Sequence, residues 1–355
     1  MKRLFFLLIA VVFAGCGGGG GGGSTASTTA PLNGTYTVHQ QKTGATWEEY
    51  PIQISSTRAG TDLTWVVSCN SKIPEASGTV SGDTFLVSFD FGGGNYYSFS
   101  GAVSDNSIIG TYTFAELPVI DNGTFRLEAA PELNCANACD NISVTKFVDT
   151  EFTELAKIDR ISLFRSGAGH DYSDICENCR SMKHYFAPYS QNRVNGDIKV
   201  FSPVDGIITA INQESHGASP PGENKQVHVR STAHSEYTFI LFHIDLLSSD
   251  ITEGKSLSKG DQIGYARMYY PDLSETADNF DIAVRFQTLY GERYVSYFDT
   301  ITDSLFNSYI ARGAVSRGNF IISKGTRDAN PLTCSGETFQ GPGDLPNWLS
   351  LNAPP

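Results

Sequence analysis

Turn signals cut residues 32–128 into pieces too short for anything but strands. Ser81-Gly82-Asp83, Gly92-Gly93-Gly94, Ser104-Asp105-Asn106 and Asp121-Asn122-Gly123 interrupt this stretch, and Asp/Asn-Gly pairs supply the positive-φ residues that close hairpins. Between and before them lie runs rich in β-branched and aromatic residues. The spacing predicts strands over 34–38, 50–55, 63–68, 78–80, 84–89, 96–100, 107–114 and 123–127. Short strands with no helical stretch among them predict a small antiparallel β-barrel or sandwich. Phe85, Phe89, Phe99, Tyr112 and Phe125 are expected to point inward as core. The pattern does not say whether that interior is filled or hollow.

At 355 residues the chain should hold about two domains of ordinary size. It is 40% hydrophobic with 35 glycines, which is enough apolar material for real cores and the turn density of a mainly β protein. The segment 32–128 is followed by a cysteine-containing linker at 129–148, a second domain at 149–334 and a tail at 335–355. The tail holds Pro342, Pro346, Pro354 and Pro355 and is expected to pack loosely. Helical spacing predicts one or two short helices in the second domain, over 150–160 and 296–312.

Ahead of the barrel segment, Lys2 and Arg3 precede an apolar run at 4–14. That run is shorter than the ~20 residues a membrane helix needs. Ala14-Gly15-Cys16 then places small residues before a cysteine. The pattern resembles the bacterial lipoprotein signal, with Phe13 standing where that family usually has leucine. The resemblance implies removal of residues 1–15, a lipid on Cys16 and membrane contact through that lipid alone. Gly17 is similar to the outer-membrane sorting pattern, so the chain is expected in the cell envelope, on its periplasmic or surface face. Residues 16–31, glycine- and hydroxyl-rich, would be a flexible tether.

Without Lys2 and Arg3, 38 acidic residues face 23 basic ones, a net charge of −15. That balance argues against a nucleic-acid or anionic-lipid surface. Export would oxidise Cys69, Cys135, Cys139, Cys176, Cys179 and Cys334, for which fifteen pairings exist. Cys135 and Cys139 are expected to be disulfide partners, of each other or of distant cysteines.

The second domain carries the chemistry. His170 and Asp174 lie four residues apart on a turn led by Gly167-Ala168-Gly169. A neutral imidazole and a carboxylate can bind zinc, and zinc enzymes commonly use three protein ligands and a water. The spacing by itself is weak evidence, because His170 could simply hydrogen-bond Asp174 in a loop. Further on stand Ser202-Pro203-Val204-Asp205-Gly206, the strand Phe239-Ile240-Leu241-Phe242-His243-Ile244, the hairpin from Gly254 to Gly264, and Phe280-Asp281-Ile282-Ala283-Val284.

In that order, over roughly residues 164–290, these blocks resemble the lysostaphin-type (LytM-like) zinc endopeptidases. The resemblance implies a LytM-like β domain of the duplicated hybrid, barrel-sandwich type. His170 and Asp174 would be metal ligands and His243 a catalytic acid or base. The last block departs from the family: where it has His-x-His, this chain has Asp281-Ile282-Ala283. Ala283 cannot bind zinc. Residues 281 and 283 share a strand face, so Asp281 points where the missing groups would have been. Three outcomes are open. One is an altered site of His170, Asp174 and Asp281 for zinc or a harder divalent ion, with His243 as acid or base, cleaving peptidoglycan. Another is a degenerate domain, without metal, whose groove binds cell-wall material or an envelope protein. In the last, His243 and Asp281 are structural. The loss of one ligand in three favours the binding reading.

The blocks around residue 206 and residues 254–264 also resemble the hairpins of biotinyl and lipoyl carriers. No Met-Lys-Met turn is present, which disfavours a carrier. The phrases Tyr97–Gly101 and Gly110-Thr111-Tyr112 are similar to the meander of small lipocalin-like barrels. Cys176, Cys179 and His184 could be soft zinc ligands or a redox pair, but export makes disulfides the expected fate. His184 could instead face the groove. His39, His216, His228 and His234 carry no spacing signal.

Overall fold

The computed structural model describes residues 32–354 apart from 47, 71–72, 105–106, 117–118, 215–221 and 271–274. The leader, the tether and Cys16 lie outside the described residues, as does His216.

Strands β1 (Gly34–Lys42), β2 (Glu49–Ala59), β3 (Asp62–Val67), β4 (Ala76–Ser81), β5 (Thr84–Gly92), β6 (Asn95–Ser104), β7 (Ser107–Glu116) and β8 (Val119–Ala129) pair in sequence, and β8 returns to β1 to close an antiparallel barrel. The turn chemistry acts where expected: Gly82 has φ +59° between β4 and β5, and Gly92 to Gly94 all have positive φ between β5 and β6. The strands alternate buried and outward residues, as in Phe85, Val87 and Phe89 on β5. The interior is filled. Trp65 is fully buried, with ring centroids 5.4 Å from Phe99, 5.6 Å from Phe85 and 6.5 Å from Phe125. Gly110 makes this packing possible, since a Cβ there would lie 2.8 Å from the Phe125 ring and 2.1 Å from the Ser100 carbonyl oxygen.

The second module is built on strands β9 (Ile158–Ser162), β10 (His184–Pro188), β11 (Lys199–Phe201), β12 (Gly206–Gln213), β13 (Lys225–Ser231), β14 (Tyr237–Leu246), β15 (Ser256–Leu257), β16 (Gln262–Ala266), β17 (Tyr269–Tyr270), β18 (Glu275–Thr276), β19 (Phe280–Thr288), β20 (Gly291–Val295), β21 (Cys334–Ser335), β22 (Thr338–Phe339) and β23 (Trp348–Ser350). The main sheet runs β15-β12-β13-β14-β19-β10-β9-β23, with β16 bridging β14 and β11, and β20 edging β19. Its core face carries Phe186, Val227, Phe239, Leu241, Phe280, Ile282 and Val284. The opposite face carries a much smaller apolar cluster of Ile240, Phe242 and Ala283, with Tyr172 and Tyr294 packed against it.

Three local expectations are corrected. The helix predicted over 150–160 is a single 3-10 turn at Leu155–Lys157 followed by β9. Ile158 and Ile161 are fully buried there, and pairing with β10 and β23 overrides helical spacing. The helix over 296–312 is two pieces, α1 (Tyr297–Thr300) and α2 (Asp303–Ile310), each with its own N-cap, Ser296 and Thr302. Between them Ile301 takes an extended conformation and is fully buried. The tail expected to pack loosely supplies β23, which pairs with β9, and Trp348 lies under the Arg160 guanidinium at 4.7 Å.

The disulfides are Cys69–Cys135, Cys139–Cys176 and Cys179–Cys334. Cys135 and Cys139 are thus not partners of each other, and Cys176 and Cys179 form neither a redox pair nor a zinc knuckle. The first two bridges staple the barrel to the linker and the linker to the second module. Lys42 on β1 reaches Glu253 across the same boundary at 2.7 Å.

Candidate functional site

The face of the main sheet opposite its core gathers the predicted residues. His170 follows Gly169, whose φ is +69° and whose missing Cβ would fall 2.0 Å from the Tyr185 hydroxyl. Only glycine fits that approach, and it sets the imidazole over the sheet. Asp281 on β19 stands opposite Tyr185 on β10, and Ala283 opposite Ile240 on β14. Residues 281 and 283 therefore share the face that period-two geometry assigns them. On β14 a register shift accompanies His243, which has φ +59°. That is a strained conformation for a non-glycine residue.

One residue not singled out from sequence sits among these groups. The Lys183 ammonium lies 2.7 Å from Asp281 Oδ2 and 3.2 Å from His170 Nε2. It also lies 4.0 Å from the centroid of the Phe242 ring and 4.5 Å from that of Tyr172. Both side chains of the ion pair are out of water, Lys183 at 3% exposure and Asp281 at 0%. Burial alone would lower the lysine's pKa, but the carboxylate beside it outweighs that and holds it above the ordinary value. An ammonium has only donors, so His170 Nε2 must accept. Its proton therefore sits on Nδ1, which donates to the Asp171 carbonyl at 3.0 Å. Burial first, and then the Lys183 cation, lower the His170 pKa.

His243 Nδ1 donates to Asn224 Oδ1 at 3.1 Å, while Nε2 lies 3.6 Å from Asp281 Oδ1. That carboxylate oxygen is buried with no hydrogen bond among the described residues. Glu214, at the end of β12 just beyond Gln213, was likewise not anticipated. Burial and the nearby Asp281 charge push its carboxyl up to about 7, and its Oε1 is also buried without a hydrogen bond among the described residues.

Asp174 is turned to other partners. Its Oδ2 accepts from Arg293 Nε at 3.0 Å and from the Tyr294 amide at 3.1 Å, and its Oδ1 accepts from the Cys176 amide at 2.8 Å. His184 does not face this cluster. It is a core histidine, bonded to the Ser162 carbonyl and the Ser296 hydroxyl at 2.8 Å each. Burial lowers it to about 4.

The structure thus brings His170, His243 and Asp281 together around Lys183, and directs Asp174 to Arg293. As arranged, these side chains do not fit one metal ion. An ammonium stands between His170 and Asp281, and Asp174 has both oxygens engaged. Among the described residues no group of three or more His, Cys, Asp or Glu side chains is placed to hold a metal.

Fold and site define a two-module β protein, a closed barrel joined to a sheet that carries a buried charge cluster in an aromatic surround. No family model matches the chain, and no curated protein matches it. Among solved structures, two crystal forms of Helicobacter pylori Csd3 align with it at 10% identity. They cover 72% of this chain and 77% and 75% of theirs, with TM-scores of 0.29 and 0.28.

Proposed function

We propose that this chain is an envelope-anchored lipoprotein whose second module is a degenerate LytM-like metallopeptidase domain that binds cell-wall material in its groove without cutting it. The observation that carries the reading is Lys183. A positive charge already stands between His170 and Asp281, the residues that the LytM-like resemblance would turn toward a metal ion. A buried ammonium with a carboxylate partner satisfies the cluster's charge without a metal. His170, with 43% of its side chain exposed, and the half-buried Tyr172 ring beside it offer polar and aromatic contacts suited to a polar, flexible polymer. The N-terminal signal read from residues 1–16 would place that groove beside the cell wall. A protein partner of the envelope is the other occupant the same groove admits.

A second reading has one observation in its favour. His243 holds a strained positive φ with its ring toward Asp281, and strain of this kind gathers at active sites. That reading would require Asp174 to leave Arg293 and Lys183 to withdraw from between His170 and Asp281 before His170, Asp174 and Asp281 could hold a metal, with His243 as acid or base in an endopeptidase.

One pair of measurements decides between them. The full chain is assayed for bound metal by mass spectrometry, then for pelleting with purified peptidoglycan sacculi and for release of soluble fragments. Binding with no stoichiometric metal and no release supports the proposal. About one equivalent of metal together with release that stops on chelation and in His243→Ala would overturn it. Pelleting of envelope proteins but not of sacculi would move the reading to the partner form.

A further inference from the structure

A cavity of about 590 Å³ opens between the mouth of the barrel and the second module, with Asp174 and Tyr294 in its wall. That size is in the range of small-ligand sites. We propose that it is a binding site for a neutral polyhydroxylated ligand, one or two sugar rings in size. The proposal does not depend on what the groove binds.

The walls come from both modules. The barrel gives Tyr97, Tyr112 and Phe114, and β20 gives Tyr294. Tyr97 packs edge-on against Tyr112 and Phe114 at 5.5 Å and 5.4 Å, so the rings form one angled surface. Aromatic faces accept the C–H faces of sugar rings, and phenol hydroxyls add a polar handle. Among the described residues neither the Tyr97 nor the Tyr112 hydroxyl has a hydrogen-bond partner, so a ligand hydroxyl could bond to them.

Five of the six charged side chains in the lining, Lys42, Asp121, Asp174, Arg285 and Glu292, sit in ion pairs, and Glu49 is not free of partners either. Lys42 pairs with Asp121 at 2.9 Å and with Glu253. Arg285 pairs with Glu292 at 2.8 Å, and Asp174 with Arg293. A strongly ionic ligand would have to break one of these pairs, and a purely apolar one would cover them without replacing their lost water. Hydroxyl groups can use the remaining lone pairs of the carboxylates while leaving the ion pairs intact.

The cavity is also held open. Cys69 immediately precedes Asn70 in the barrel wall, and Cys176 immediately follows Ile175 in the opposite wall. The bridges Cys69–Cys135 and Cys139–Cys176 run through the same short linker segment. Two covalent links in series fix the separation of the walls, which lowers the ordering cost of binding.

The test uses the full chain with chitobiose as the neutral probe, N-acetylneuraminic acid as the anionic one and glucosamine as the cationic one, followed by saturation-transfer NMR. Chitobiose should give transfer that Ile175→Trp abolishes by filling the cavity. Tyr112→Phe keeps the ring and removes one hydroxyl, and should weaken binding about fivefold, the worth of one hydrogen bond. Thermal melts establish that each variant is folded, and if Ile175→Trp is not, Tyr112→Phe alone decides. No transfer to chitobiose, equal or stronger transfer to either charged sugar, or unchanged affinity in the folded variants would overturn the assignment.

Discussion

The barrel interior and the charge cluster of the second module are both surrounded by aromatic rings, yet the rings do opposite things. In the barrel, Trp65, Phe85, Phe99 and Phe125 pack on one another and fill the space. In the cluster, Phe242 and Tyr172 surround an ammonium. The difference is one buried residue. Where a face offers only apolar side chains, rings close on rings. Where a lysine is drawn in by a carboxylate, the rings become the walls of a charge site. The first arrangement is stability; the second holds charge out of water, an arrangement common at functional sites.

The contrast breaks most visibly at Asp281. Asp281→Ala would leave the Lys183 ammonium buried and unpaired, and should cost about 3–5 kcal/mol in urea unfolding. Replacing both partners by apolar residues, Lys183→Met with Asp281→Leu, should recover most of that loss. A cost under about 1 kcal/mol for Asp281→Ala would mean that water reaches the pair, and the groove would lose its distinction from an ordinary wet cleft. The matching change in the barrel is Trp65→Ala, expected to cost about 3–5 kcal/mol through the cavity it leaves. No second substitution in the barrel should rescue it by removing a charge.

These two sites also show how much was legible. The eight barrel strands follow from turn residues and alternation, which are local, and the structure places them where those signals lie. The grouping of His170, His243 and Asp281 on one face follows from block order and strand periodicity. Lys183 was not legible. It is a single basic residue ahead of the run His184–Pro188, and only the approach of β19, carrying Asp281 98 residues away, buries it. Asp174 is likewise decided from a distance, because Arg293 lies 119 residues on. The segment 150–160 has helical spacing, but Ile158 and Ile161 find strand partners in β10 and β23, and no local pattern announces that.

A smaller effect separates burial with a charge partner from burial without one. Glu151 is half-buried against the Ser308 and Tyr309 hydroxyls, and its desolvation pushes it up to about 7 although both hydrogen bonds pull the other way. Its folded pKa lies above the unfolded value of 4.5, so the unfolded chain ionises first as pH rises. The native state therefore loses stability between about pH 4.5 and pH 7, by about 3 kcal/mol. His184, lowered to about 4, and His228, lowered to about 3, act in the opposite sense. Burial depresses both, so their contribution is lost as pH falls below 6.5. Because the trends overlap, the informative quantity is a difference. Glu151→Gln should become more stable relative to the unmodified chain as pH rises from 5 to 7.5. A flat difference would show that the carboxyl is hydrated in the native state.

The finest test asks whether the groove rings act on the charge or merely fill space. Phe242→Leu keeps most of the volume and removes the π face that lies 4.0 Å from Lys183 Nζ. A desolvated cation–π contact is worth about 2 kcal/mol, but the substitution also changes packing, so the single variant cannot apportion the loss. The cycle with Lys183→Met can. If the ring stabilises the ammonium, Phe242→Leu should cost about 1–2 kcal/mol more in the unmodified chain than in the Lys183→Met background. Phe99→Leu in the barrel, where the neighbours are Trp65, Tyr97 and Phe125, should cost the same in both backgrounds. A zero coupling at Phe242 would put groove and barrel back in one category, rings packed for volume, and would leave Asp281 as the sole reason that Lys183 is buried.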